Sequence, residues 1–297
     1  MIRTRNLLAA FFGFVLASGA LLIYALLRPP EPKPGYPDQR QIQYSFTLQN
    51  RTNQVLEKAG FWVAAPAKQT STQVCNRIEA SHPYDLLTDA SGNQTLYFNF
   101  KNLPPFATRL ITVHAHLALS DVPNRVPVPS MEPFLRPEPY CESDAQEIVH
   151  LASTLRAGTP AQTAERIYAW ISTNVQYTGY RREAFGALWA FQHRKGDCTE
   201  FMHLFVALCR AAGIPARSLG GYVKVENAVV RPNDFHNWAE FHDGKLWRIA
   251  DPQRKVFMKN ASHYVVTRIL GGAVDDTVAG FHRFRYAGRG LRVRMDG

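Results

Sequence analysis

The 297-residue sequence is sparing in three respects, and each narrows what it encodes. Cysteines number only four, Cys75, Cys141, Cys198 and Cys209, which allow three disulfide pairings. There is no internal repeat, which excludes a solenoid or an array of modules. Acidic residues are in the minority, 24 against 34 lysines and arginines, for a net charge of +10. That excess fits nucleic acid or an anionic surface, and much of it comes from arginines near the two ends.

The N-terminus favours the surface. MIRTRN precedes one uncharged apolar run of 21 residues, Leu7 to Leu27, about the length of a bilayer-spanning helix. Arg3 and Arg5 ahead of it keep the N-terminus cytoplasmic and send the rest across the membrane. A cleaved signal peptide is the rival, because Ala17-Ser18-Gly19-Ala20 offers small residues, but the apolar run continues past them to Leu27. The expectation is an inner-membrane, single-pass protein with its body in the periplasm if the chain is bacterial. Nucleic acid is then not expected as a partner.

Composition divides the remainder. Residues 1–28 read as the anchor and 29–40 as a proline-rich linker. Residues 41–121 show short alternating runs such as IQYSFTL and TLYFNF between turn residues, the pattern of an all-β sandwich. Residues 122–142 form a second proline-rich connector, and 143–297 a second domain that opens on helix-start signals and ends in a basic C-terminal tail. In that tail, HRFRYAGRGLRVR carries five arginines that fit an anionic envelope polymer or lipid, or else a solvated end.

The sharpest local signal is GDCTEFMHLFVALCRAAGIP. Asp197 and Glu200, three apart before an apolar run, form a capping box, and Cys198 falls in the first turn of the helix it starts. The positive end of a helix dipole favours a thiolate there. The alternative for any cysteine is a small buried hydrophobe, which is the reading for Cys209. Cys198 and Cys209 lie about 16 Å apart along one helix, too far for a bridge that needs about 7 Å. Cys75 with Cys141 is the pairing that leaves both free.

A nucleophilic thiol needs a base and a group that orients it. His203 points about 140° round the helix from Cys198 and serves poorly. FHNWAEFHDGKLWRIADP does better. With Asp243-Gly244 as a two-residue turn, paired residue numbers sum to 487, so His236 faces Asp251 and His242 sits solvated beside the turn. His114 and His116 share a strand face, but neither a cysteine nor a carboxylate stands near them in sequence to complete a metal site.

GDCTE, HNWAEF and ADP, in that order, resemble the transglutaminase-like superfamily of papain-type fold, over roughly Asp144 to Asn260. The resemblance implies an α+β core with a central cysteine helix on an antiparallel sheet, here preceded by a β-sandwich and one transmembrane helix. It implies a triad of Cys198, His236 and Asp251 acting on protein or peptide amides through a thioester, without cofactor or metal. Hydrolysis, favoured slightly, and transfer to an amine both belong to the superfamily. A thioester-forming acyltransferase is disfavoured by the lack of an acyl-CoA feature, and a non-catalytic envelope scaffold is the rival from another class. For the oxyanion, the Cys198 backbone N–H and Gln192 are candidates, with Trp170, Trp189, Tyr177 and Tyr180 as rivals.

Overall fold

Strands β1 (Asp38–Asn50), β2 (Leu56–Ala65), β3 (Gln73–Ala80), β4 (Asp85–Thr88), β5 (Gln94–Leu103) and β6 (Thr108–Leu119) come first along the chain. The structure is a computed structural model and describes residues 35–181, 183–270 and 283–297. The apolar run Leu7 to Leu27 lies outside the described residues. Among the described residues no helix is long and apolar enough to cross a membrane.

Alternation decides which face β1, β5 and β6 bury. In β1, Ile42, Tyr44, Phe46 and Leu48 point inward while the residues between them are only half-buried. They meet Phe61 and Val63 of β2, Leu96 and Phe98 of β5, and Ile111 and Val113 of β6 in one apolar core. Two sheets enclose it, ordered β3-β6-β1 and β4-β5-β2 at their centres. Period-two patterning of this kind builds a sandwich.

Four helices and two short strands follow: α1 (Gln146–Thr154), α2 (Pro160–Asn174), β7 (Gln176–Tyr177), α3 (Ala187–His193), β8 (Lys195–Gly196) and α4 (Cys198–Ala211). Then come β9 (Ala216–Val223), β10 (Ala228–Val229), β11 (Phe235–His242), β12 (Trp247–Asp251), β13 (Val256–Phe257) and β14 (Tyr264–Leu270). The third sheet runs β13-β12-β11-β9-β14, antiparallel throughout. Every residue from Glu200 to Arg210 of α4 is buried, because α1, α2 and α3 pack around the helix on one side and β11 and β9 on the other. A helix apolar nearly all round can persist only at such a centre.

The chain closes with β15 (Phe284–Ala287) and β16 (Leu291–Met295), and here the expected layout changes. These residues are not a solvated basic tail of the second domain. β15 pairs with β2 and β16 with β1, extending both sheets of the sandwich, while β10 pairs in parallel with the other end of β1. The pattern LRVRM alternates, so Leu291, Val293 and Met295 enter the sandwich core and the arginines face out. The described residues thus make one compact unit.

The Cys75–Cys141 bridge is not formed, and all four cysteines are free thiols. Cys75 packs against the sandwich core, whereas Cys141 is buried in the helical core beside α4, so the two belong to different cores. Cys209 is a buried packing residue of that helical core.

Candidate active site

The start of α4 is held from both sides. Asp197 Oδ1 accepts from the Thr199 N–H at 2.7 Å, and Glu200 Oε2 accepts from the Asp197 N–H at 3.0 Å, the two halves of a capping box. Each carboxylate has a second oxygen, and the loop before α3 uses both. Arg181 N–H donates to Asp197 Oδ2 and Phe185 N–H to Glu200 Oε1, each at 2.9 Å. The cap therefore fixes the helix start and the neighbouring loop together, with half-buried Cys198 at the first helical position.

Adjacent residues bring β11 alongside. Asn237 Nδ2 donates to Thr199 Oγ1 at 3.0 Å, tying the residue after His236 to the residue after Cys198. His236 is buried, its ring nearly parallel to that of Trp238 at 6.2 Å, and Trp238 in turn meets the edge of Tyr264. Opposite His236 stands Gly221, where a Cβ would come within 2.0 Å of the Val265 carbonyl oxygen. Only glycine lets β14 close against β9 here.

His236 Nε2 lies 2.7 Å from Asp251 Oδ2. An ionised carboxylate only accepts, so Nε2 carries the proton and Nδ1 is the basic nitrogen. Asp251 is buried and accepts twice more, from the Tyr264 hydroxyl at Oδ2 (2.9 Å) and from the Arg254 N–H at Oδ1 (3.1 Å). Three donors offset the cost of a buried carboxylate and hold it in one orientation. Sequence reading missed Tyr264, which lies beyond the hairpin and reaches Asp251 only because β14 joins the sheet on the far side of β9.

The hairpin differs from the expected one in a way that leaves this pair intact. Asp243 to Leu246 form the turn, with the Asp243 side chain accepting from both the Lys245 and Leu246 N–H groups. Pairs sum to 489, as in His242 with Trp247 and Ala239 with Ala250. His236 and Asp251 are diagonal neighbours and not directly opposed. A slip of two residues keeps every side chain on its face, and diagonal positions remain within reach of long side chains.

The thiol is the second correction. Burial first, then the charge of Asp197, push the Cys198 thiol up to about 12, with Asp251 adding to the rise. Hydrogen bonds from the Asn237 backbone N–H and the Thr199 side chain act the other way and do not prevail. The helix dipole thus does not yield a resting thiolate. The arrangement suits a neutral thiol that loses its proton as it attacks.

Other expected residues fall elsewhere. Gln192 is exposed and its amide donates to Glu147 Oε1 at 3.3 Å. Trp170 stacks on Phe191 under the Arg194 guanidinium, and Trp189 stacks with Phe185 and His193. Tyr180 is 83% exposed. Tyr177 does border the site: burial, then the charges of Cys198 and Asp197, raise its phenol. His203 is buried within the helical core and its imidazole is lowered to about 4 by burial and Arg210. His242 is half-buried, edge-on to Trp247, and so only partly solvated. His114 meets Gln41, and His116 lies 3.4 Å from Glu79 on the outer face of the sandwich.

Residues 149–252 match the family model of the transglutaminase-like superfamily. The chain carries a transglutaminase-like core. Among solved structures, a candidate cysteine protease from Cytophaga hutchinsonii is similar, with 23% identity over 87% of this chain and 92% of that chain, at a TM-score of 0.56. The periplasmic domain of TgpA from Pseudomonas aeruginosa, bound to ethylmercury, aligns with 16% identity over 72% of this chain and 90% of that one, at a TM-score of 0.39. The first likeness shows a shared fold that takes in the sandwich as well as the transglutaminase-like core. No curated protein matches the chain in sequence.

Proposed function

We infer that the protein is a cysteine enzyme acting on protein or peptide amides through a thioester. The observation that carries this is the 2.7 Å contact of His236 with Asp251 on a strand tied, one residue on, to the capped helix start that holds Cys198. In this reading Nδ1 of His236 takes the Cys198 proton as Sγ attacks the substrate carbonyl. The C–S bond forms, the amide C–N bond breaks, and the leaving amine receives the proton from the imidazolium. Water or a second amine then attacks the thioester, gives its proton to His236 and releases the thiol. Asp251 orients the imidazole and stabilises its charged form. The Cys198 backbone N–H, at a helix start without an intrahelical acceptor, is the proposed oxyanion donor. Hydrolysis is slightly favoured over amine transfer.

The proposed site of action is the periplasmic face of a membrane, with Leu7 to Leu27 as anchor. A reporter fused after Pro37 is expected to be active only outside the cytoplasm; cytoplasmic activity would overturn that placement. The chemistry is tested by incubating the full chain with a mixed protein substrate and a fluorescent primary amine. New peptide ends report hydrolysis and label uptake reports transfer, and either is expected to vanish in Cys198→Ala and His236→Ala. Neither signal above these variants, with an intact fold, would reject the enzyme reading in favour of a scaffold.

A further inference from the structure

A shallow, open depression of about 460 Å³ lies on the sandwich, lined by Lys58, Gly60, Trp62, Tyr97, Asn99 and Lys101 and by none of Cys198, His236 and Asp251. The alternation of β2 and β5 puts it on the outer face of their sheet, since Ala59, Phe61, Leu96 and Phe98 are the residues that enter the core. Its lining follows the register. Lys58 pairs with Lys101, Gly60 with Asn99 and Trp62 with Tyr97, in three successive cross-strand rows.

Each row is unusual for a plain solvent face. Two lysines directly opposed repel and weaken the sheet. Neither has an ion pair among the described residues, nor does Arg285, whose guanidinium lies 4.3 Å over the Trp62 ring from the adjoining β15. Trp62 and Tyr97 stack at 4.6 Å. A Cβ at residue 60 would come within 2.6 Å of the indole, so glycine lets the ring rest against the strand. The result is an aromatic pair at one end, a lysine pair about 14 Å away at the other, and the Asn99 amide between them.

This chemistry selects among anionic ligands. Along the aromatic row a peptide cannot add as a strand, because β15 pairs with β2 over Gly60–Val63 and β4 with β5 over Gln94–Tyr97. A small inorganic anion has no use for the aromatic pair or for the length. A chain of carboxylated sugar rings uses every part. Its C–H groups pack along the exposed edges of the Arg285–Trp62–Tyr97 stack, its carboxylates meet the lysines and Arg285, and its hydroxyls reach Asn99.

We propose that this face of the sandwich binds an acidic oligosaccharide, with the edges of the Trp62–Tyr97 stack as its apolar support and Lys58, Lys101 and Arg285 as its carboxylate partners. The site is independent of the cysteine chemistry and is tested without it. The full chain is titrated with tetragalacturonate, followed by tryptophan fluorescence and calorimetry. Saturable binding is expected, weakened by salt. Trp62→Ala and the double variant Lys58→Gln/Lys101→Gln are each expected to lose about tenfold or more in affinity, while Cys198→Ala binds as the wild type does. The lysine pair is exposed, so its variant keeps the test decisive if Trp62→Ala does not fold. Equal binding of neutral maltotetraose, tighter binding of poly-glutamate or of anionic vesicles, or undiminished affinity in the lysine variant would each overturn the proposal.

Discussion

His236 and Asp251 meet at 2.7 Å across a pair of strands in which they are not directly opposed. The contact spans a diagonal, so its geometry depends on what holds the carboxylate as well as on the hairpin. Tyr264 and the Arg254 N–H supply that support, and the Tyr264 hydroxyl shares Oδ2 with the imidazole.

Asp251→Asn preserves shape but replaces an acceptor-only group with one that can present N–H to the imidazole. Single-turnover thioester formation should fall by roughly 10³-fold or more with folding retained, and Asp251→Ala with His236→Ala should cost little beyond either alone. Tyr264→Phe removes one donor and should slow the step by about tenfold. Wild-type rates in a folded Asp251→Ala protein would leave a Cys-His dyad as the whole machinery.

The thiol of Cys198, raised to about 12 by burial and Asp197, is neutral at rest. Alkylation by iodoacetamide should therefore climb about tenfold per unit from about pH 7 to about pH 9, because the thiolate fraction does. Asp197→Asn removes the second cause and should raise the rate at fixed pH. A rate independent of pH across this range would show a preformed ion pair instead.

Glu200 serves two N–H groups with its two oxygens. Glu200→Ala strands both, the Asp197 N–H in a buried position, and should cost about 2 kcal/mol or more in urea unfolding. Glu200→Gln keeps one acceptor and should cost about half as much. Limited proteolysis should cut the loop at 178–186 faster in the alanine variant, since that loop hangs on the same cap.

His203 carries a pH signature of its own. Its imidazole pKa is lowered from 6.5 to about 4 by burial and the nearby Arg210. The folded protein thus refuses a proton that the unfolded chain accepts, so stability is complete above pH 6.5 and is lost as pH falls toward 4. The loss through this group is about 3 kcal/mol. His203→Gln should flatten the stability profile across that window, and an unchanged slope would place the acid sensitivity elsewhere.

Short-range rules made much of this protein legible in its residues. The capping box of Asp197 and Glu200 was readable because it spans only three positions and depends on no distant partner. The alternation of β1, β5 and β6 was readable because a strand's period of two follows from backbone geometry alone. The same period explains why a hairpin read with the wrong turn still put His236 and Asp251 on one face. What the tertiary structure decided lies at longer range. The turn became four residues because the Asp243 side chain captured two N–H groups, a competition between local bonds and strand pairing. The basic C-terminus became two strands because open edges of the sandwich, some 230 residues earlier in the chain, were there to receive them. The Cys198 thiol stayed neutral because burial and two carboxylates, one brought from the far end of a hairpin, outweigh a helix dipole whose influence ends within a turn.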